Sequence, residues 1–258
     1  MTDTSDPAAR LSSLFYEVYE GMPRGGPGDP SSTERALSMM PDLPPRPLVL
    51  ELGCGPGRGV ARLAALTRGR VCALDLHHPF VAAQVRHAAG EGRPSLVYGV
   101  CADMRALPFG PATFDLVWSE GALYSIGFTD ALQVCAEVTT PGGYLAASEA
   151  VWTVGDPPAE IRRWWDAEYP AIAPIASKVA DVAAAGFAVV GHFTLPPEAW
   201  RDNYYDPLRE RLAALRRAWT DNGHALGLFV QFDVELATHD RFGHTYSYEF
   251  IVGRKPVS

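Results

Sequence analysis

The stretch "VLELGCGPGRGV", Val49 to Val60, decides how the rest of the chain is read. An apolar run stops at an acid, Glu51, and gives way to Gly53, Gly55, Gly57 and Gly59. Glycine in an ordered segment costs conformational entropy, so the backbone here must pass close to something. A strand that ends in glycines and feeds a helix suggests a nucleotide-binding turn, with free N–H groups at the helix start as donors, while tight helix–strand packing alone would also call for some of the glycines. The dinucleotide pattern Gly-x-Gly-x-x-Gly/Ala fails, because its third small position is Arg58 counted from Gly53 and Val60 counted from Gly55. A phosphate loop ending in Gly-Lys-Ser/Thr is also absent. What fits is acid-x-Gly-x-Gly-x-Gly, from Glu51 to Gly57.

Around this turn, strands and helices alternate from Leu48 to Glu149. "LVLELG", "RVCALDL", "SLVYGVCAD", "FDLVWSEG" and "YLAASEA" read as strands, and "GVARLAALTR", "PFVAAQVRHAAG" and "FTDALQVCAEVTT" as helices. Strands without strict alternation, separated by helices, predict a mainly parallel sheet covered on both faces. Before it, residues 6–21 form a helix with Leu11, Leu14, Phe15 and Val18 on one face, and residues 29–40 a second helix behind Ser/Thr caps. "GMPRGGPG" between them is too rich in Gly and Pro to be regular. Past Glu149 the pattern loosens through the aromatic, proline-rich stretch 151–174. A helix ending at Gly186, a strand at 188–195, a loop turning helical, a helix at 224–240 and an alternating last strand, "TYSYEFIVGRK", complete the chain. One domain follows, with a helical cap (1–47), a core (48–149) and a C-terminal half carrying lid insertions (150–258).

The totals narrow the function. The 258 residues, 47% apolar and 20% charged, suit one folded domain with a sizeable core. A net charge of −8 with no Lys/Arg-rich run argues against nucleic acid and anionic membranes as partners. The polar start "MTDTSDPAARLSSLF" is unlike a signal peptide, and no apolar run is long enough to span a bilayer. Cys54, Cys72, Cys101 and Cys135 are far apart in sequence, which predicts reduced thiols in a cytoplasmic protein and no zinc site. A homodimer is left open.

Two further acids stand beyond the glycines. Asp75 ends the second strand, 18 residues after Gly57, and Asp103 follows the third in "CADMRALPF". With the fourth-strand stretch "FDLVWSEGALYSIG" and the turn "TTPGGYLAASE", the segment resembles the class I S-adenosylmethionine-dependent methyltransferases. The flanks "YEGMPRGGPGDPSSTERAL", "SEAVWTVGDPPAEIRRWWDAEYPAI" and "WRDNYYDPL" resemble bacterial small-molecule enzymes of the ubiquinone/menaquinone type. The resemblance implies a Rossmann-like seven-stranded sheet, mainly parallel with an antiparallel last strand. It implies S-adenosylmethionine as cofactor and a small-molecule acceptor. It places Glu51 near the methionine moiety, Asp75 on the ribose hydroxyls and Asp103 on the adenine amino group. Cys54, Leu76, Ala102, Met104, Ser119 and Glu120 complete the expected cofactor contacts.

Other residues gain roles from position. Arg24 lies in the Gly/Pro segment and meets a carboxylate if that segment folds over the cofactor; otherwise it is a surface charge. Tyr16 and Tyr19 are core or pocket wall. Glu120, Tyr124 and Glu149 fall at the carboxyl edge of the sheet, where open α/β folds bind ligands, and are the catalytic candidates, with Glu149 the preferred base. His77 and His78 read as exposed loop residues beside the adenosine, and His192, His239 and His244 as structural. Trp164, Trp165, Trp200, Tyr204 and Tyr205 are packing or a cap over the pocket. The competing readings are an NAD-linked oxidoreductase and a non-catalytic S-adenosylmethionine sensor.

Overall fold

The computed structural model describes residues 7–219 and 223–257, without the side chains of residues 7–11 and 224. Asp6 and Leu11 of the first expected helix therefore lie outside the described residues or side chains. Strands β1 (Leu48–Leu52), β2 (Arg70–Asp75), β3 (Val97–Cys101), β4 (Phe114–Glu120), β5 (Thr139–Trp152), β7 (Ala188–Thr194) and β8 (Tyr246–Arg254) form one sheet. A two-residue strand, β6 (Ala173–Pro174), pairs with the end of β5. The order is β3-β2-β1-β4-β5-β8-β7. The first five strands run parallel, and β8 is antiparallel to both neighbours. The expected Rossmann-like sheet is therefore present, with the short β6 added.

Residue alternation explains the two layers. Val49, Leu116, Tyr144 and Val252 belong to the core on one face, and Leu50, Val117, Leu145 and Ile251 to the core on the other. All eight are nearly or fully buried, and each such side chain contributes roughly 1.5–3 kcal/mol relative to exposure. The connection from β1 leads to β2 on one side, while β4 lies on the other side of β1. The order thus reverses between β1 and β4, and their carboxyl ends open a crevice there.

Helices α3 (Gly59–Thr67), α4 (His78–Gly90) and α5 (Phe128–Val138) follow the strands as the periodicity predicts. Upstream, α1 (Pro7–Tyr19) ends where Arg211 donates to the carbonyls of Glu17 and Val18 at 2.7 and 3.3 Å. This cation suits the negative end of a helix. Helix α2 (Pro30–Ser38) starts at Asp29, whose carboxylate accepts from the N–H groups of Ser31 and Ser32, with Pro30 in the first turn.

The stretch 151–174 is more ordered than its prolines suggest. It holds α6 (Ala159–Glu168), which buries Ile161 and Trp165 at a four-residue spacing. Only two apolar positions mark that face, too few for a periodicity signal. Then come α7 (Ile175–Ala184), a short α8 (Pro197–Trp200), a widened turn over Arg201–Tyr205, α9 (Asp206–Ala218) and α10 (Gly223–Phe242).

Candidate functional site

The crevice between β1 and β4 is a cavity of about 390 Å³, within the range of small-molecule sites. Its floor is the glycine turn, and the three glycines serve different ends. A Cβ on Gly53 would lie 2.3 Å from Cβ of Ala122, so this glycine lets the turn after β4 close in. A Cβ on Gly57 would lie 2.0 Å from the carbonyl oxygen of Pro23, so this one admits the Gly/Pro segment. Gly55, with φ of +57°, has nothing nearer than 3.9 Å. Gly55 alone among the three has left open space where its side chain would be.

The loop is held from below. Gln84 of α4, fully buried, donates to the carbonyls of Cys54 and Gly55 at 3.0 and 2.7 Å. The sequence reading missed it, although a glutamine among Phe80, Val81 and Ala88 on the buried helix face was the available signal. Asp75 holds the loop from the side. One carboxylate oxygen accepts from Gly55 N–H at 3.0 Å and the other from His77 N–H at 2.9 Å. Each oxygen keeps further lone pairs. Leu76 and Ala102 also line the cavity, with Leu76 62% exposed.

Asp103 and Met104 line the cavity beside them, but Asp103 is engaged. Arg105 donates to it from its backbone and its guanidinium, at 2.8–3.1 Å. These bonds hold the Asp103 carboxyl below the usual range.

At the inner end stand Glu51, Arg24 and Glu120. Arg24 forms an ion pair with Glu120. The other Glu120 oxygen accepts from Trp118 Nε1 at 3.0 Å and Thr33 Oγ1 at 3.4 Å. Two groups there lack partners: Glu51 Oε2 and Arg24 Nε, both buried. Burial above all, with Glu120 adding, pushes the Glu51 carboxyl well above its ordinary value, against the pull of Arg24. Unsatisfied buried groups of opposite sign are costly, and a ligand bearing both charges would satisfy them.

The Gly/Pro segment closes the roof. Pro23, Arg24, Gly25 and Gly26 line the cavity with Tyr16 and Tyr19 of α1. His77 anchors α1, since its ring stacks on Tyr16 at 3.9 Å and its Nε2 lies 2.8 Å from Glu20. The expected exposed loop histidine is thus a bolt for the roof; its neighbour His78 stays exposed. Gly28 N–H donates to Ala199, and Asn203 donates to the Gly28 carbonyl.

Several expected site residues fall elsewhere. Ser119 is fully buried and donates to the Leu52 carbonyl at 2.9 Å, so it ties β4 to β1 and does not reach the cavity. Glu149 is 1% exposed and is not part of the lining; it faces Tyr169 and Lys178. Burial pushes its carboxyl up to about 7, and Lys178 partly offsets the shift. Trp165, Trp200, Tyr204 and Tyr205 are buried in the core and Trp164 packs on it, so they do not form the cavity wall. Tyr124 does line it, and its ring meets Tyr169 at 5.6 Å. Tyr169, Lys178 and Glu235 were missed, because nothing local marks a residue whose role is to stand behind another.

Comparisons place this geometry. Residues 49–143 match the family model described as Methyltransferase domain. A malonyl-[acyl-carrier protein] O-methyltransferase of Enterobacter lignolyticus is 36% identical over 135 residues, covering 51% of this chain and 50% of that protein. The chain spans about half the length of the curated relatives it matches. Among solved structures, a Geobacter sulfurreducens S-adenosylmethionine-dependent methyltransferase in complex with S-adenosyl-L-homocysteine shares the fold at a TM-score of 0.79, with 18% identity and 95% and 97% of the two chains covered. The [4+2]-cyclase SpnF shares it at 0.72, with 20% identity over 96% and 93%. The fold is common to both, and the reaction must be argued from the site.

Proposed function

We propose that this chain, built around a class I S-adenosylmethionine-dependent methyltransferase domain, transfers the methyl group of S-adenosylmethionine to a small-molecule acceptor. The observation that carries the reading is the orphan pair at the inner end of the cavity. Glu51 Oε2 suits an ammonium and Arg24 Nε a carboxylate, the two charges of an amino-acid moiety. At the other end Asp75 offers acceptors to a pair of vicinal hydroxyls. Leu76, Ala102 and Met104 supply apolar wall for a flat base. Asp103, already bound to Arg105, would take an exocyclic amine only on its spare lone pairs.

When bound, the cofactor supplies an electrophilic methyl carbon on a sulfonium, open to in-line attack by the acceptor. The protein's part is alignment and exclusion of water. Gly55 lets the backbone lie against the ligand. Glu120, fixed by Trp118 and Thr33, holds Arg24 in place and is a positioning residue with no free role as a base. Tyr16, Tyr19 and the segment 23–26 shut out water. Tyr124 touches the cavity and is the one catalytic candidate that meets the acceptor side. Glu149, shut in the core, acts only through Tyr169 and Tyr124.

Two finer points belong to the same proposal. The four cysteines are free, which supports the cytoplasm. Light scattering of the purified chain tests the homodimer. Among the described residues no helix is long and apolar enough to cross a membrane, and no group of metal-binding side chains occurs.

Calorimetry with S-adenosylhomocysteine tests the reading. The protein should bind it, and Asp75→Ala should lose roughly 1.5–3 kcal/mol, the worth of hydrogen bonds to a charged acceptor. Unchanged affinity in a folded Asp75→Ala protein would remove the ribose assignment. Nicotinamide dinucleotide binding without S-adenosylhomocysteine binding would overturn the whole reading.

A further inference from the structure

Once Glu51, Arg24 and Asp75 are assigned to the cofactor, the acceptor must meet what is left of the cavity wall. That part is aromatic. Phe15 and Tyr19 come from α1, and Tyr124 from the turn after β4. Phe15 and Tyr19 pack at 5.0 Å between ring centroids. Behind Gly121 stands a fourth ring, Tyr248 of β8, so close that a Cβ on Gly121 would lie 2.5 Å from it. The Tyr19 hydroxyl is spent on Tyr204 at 3.2 Å.

The charges around these rings are of one sign. Glu235 of α10 hydrogen-bonds Tyr205 at 3.1 Å and is the strongest charge acting on both Tyr19 and Tyr124. Glu149 of β5 acts on Tyr124 and Tyr248. The guanidiniums that line the cavity, Arg24 and Arg105, are each paired with a lining carboxylate, Glu120 and Asp103. Lys178, the cation beside Glu149, is buried and donates to Tyr169 at 3.2 Å. A carboxylate acceptor entering between Tyr19 and Tyr124 would therefore meet rings with Glu149 and Glu235 behind them, and no lining guanidinium free of a carboxylate. An ammonium would find the environment that aromatic cages offer to cations, strengthened by two acids.

We propose that the acceptor is an amine, received as a cation between Tyr19 and Tyr124 in the field of Glu149 and Glu235. This rests on the methyltransferase reading and adds the substrate class. Burial holds both carboxyls near 7, so an arriving cation is what tips them to the charged form. For reaction the ammonium gives up one proton to water. The freed nitrogen lone pair forms a bond to the methyl carbon as the carbon–sulfur bond breaks and its electron pair stays on sulfur. The product is a methylated amine, again cationic, and a neutral thioether.

The test is binding as well as turnover. S-adenosylhomocysteine is first titrated into the protein; then phenethylamine, 2-phenylethanol and 3-phenylpropanoate, alike in ring and chain, are titrated into that complex. The amine should bind at least tenfold more tightly than the carboxylate. Glu235→Gln should shrink that ratio severalfold while leaving S-adenosylhomocysteine affinity unchanged. Tyr124→Leu should weaken the amine severalfold, and Tyr124→Phe should retain it. With methyl-labelled cofactor and a broader panel of primary and secondary amines, label should appear on nitrogen. Equal or tighter binding of the carboxylate or the alcohol, or no binding of any amine, overturns the amine assignment. If S-adenosylhomocysteine itself fails to bind, the methyltransferase reading is what has failed.

Discussion

The two ends of the cavity are built by different means. The proposed cofactor end is made mainly of backbone and of residues between Glu51 and Asp103, close in sequence and fixed to parallel strands, with Arg24 brought in from the segment before the sheet. The acceptor end is made of side chains from α1, β5, β8, α10 and the turn after β4, brought together over more than 200 positions. A backbone-built site has little freedom to vary, because its ligand contacts are the fold. A site of side chains can be changed by substitution alone. The same fold occurs in a methyltransferase and a cyclase, and the division predicts that damage to the two ends will differ in kind.

The largest effect should come from Gly55→Val. At φ of +57° a branched residue is strained by about 1–3 kcal/mol, and its methyls would fill the open space beside Gly55. Cofactor affinity should fall by more than about 100-fold, near 2.7 kcal/mol, while circular dichroism stays that of the parent and the melting transition drops by only the several degrees that the strain accounts for. Retained S-adenosylhomocysteine binding would show that the ligand does not pass over Gly55.

Gly57→Ala should come next. It leaves the ligand path open but drives a Cβ to 2.0 Å from the Pro23 carbonyl, so the roof must lift. We expect about tenfold weaker binding, worth about 1.4 kcal/mol, with faster hydrogen exchange confined to residues 16–28. The roof cannot simply be removed, because Val18 and Met22 are core residues and Arg211 is bound to α1. Equal exchange in the variant and the parent would mean that the segment packs elsewhere in solution.

The same division explains what could be read from the sequence. The strands, their order of appearance and the acids at their ends were legible because each is announced locally, by an apolar run that stops at a glycine or a carboxylate. Even there packing requires Gly53 and Gly57 while Gly55 faces open space, a distinction that needed Ala122 and Pro23 in place. The aromatic residues of 151–174 and 196–205 read as packing or a cap over the pocket, and Trp165, Trp200, Tyr204 and Tyr205 are core. Composition alone cannot separate a wall from a core, since both call for large apolar rings. Glu149 was expected to end its strand at the cavity edge, but β5 runs on to Trp152 and is paired with β8 throughout, so Glu149 lies inside the strand and faces Tyr169 and Lys178.

Glu149 gives a test that needs no ligand. In an unfolded chain a glutamate loses its proton near 4.3; in the fold Glu149 holds it to about 7 because it is buried. Between those values the folded state binds the extra proton, so stability falls as pH rises through the window and levels off above it. The full span is worth at most roughly 4 kcal/mol. Glu149→Gln removes the ionisation and keeps the shape. Its melting temperature should match or fall below the parent's at pH 5 and exceed it at pH 8. The gain is reduced by what Lys178 loses when its charge partner goes, and Glu235, shifted in the same direction, should leave a residual slope. Parallel melting curves for the two proteins from pH 5 to 8 would mean that Glu149 is already ionised and solvated, as a base on the open cavity would be, and would move it from behind Tyr124 to the acceptor itself.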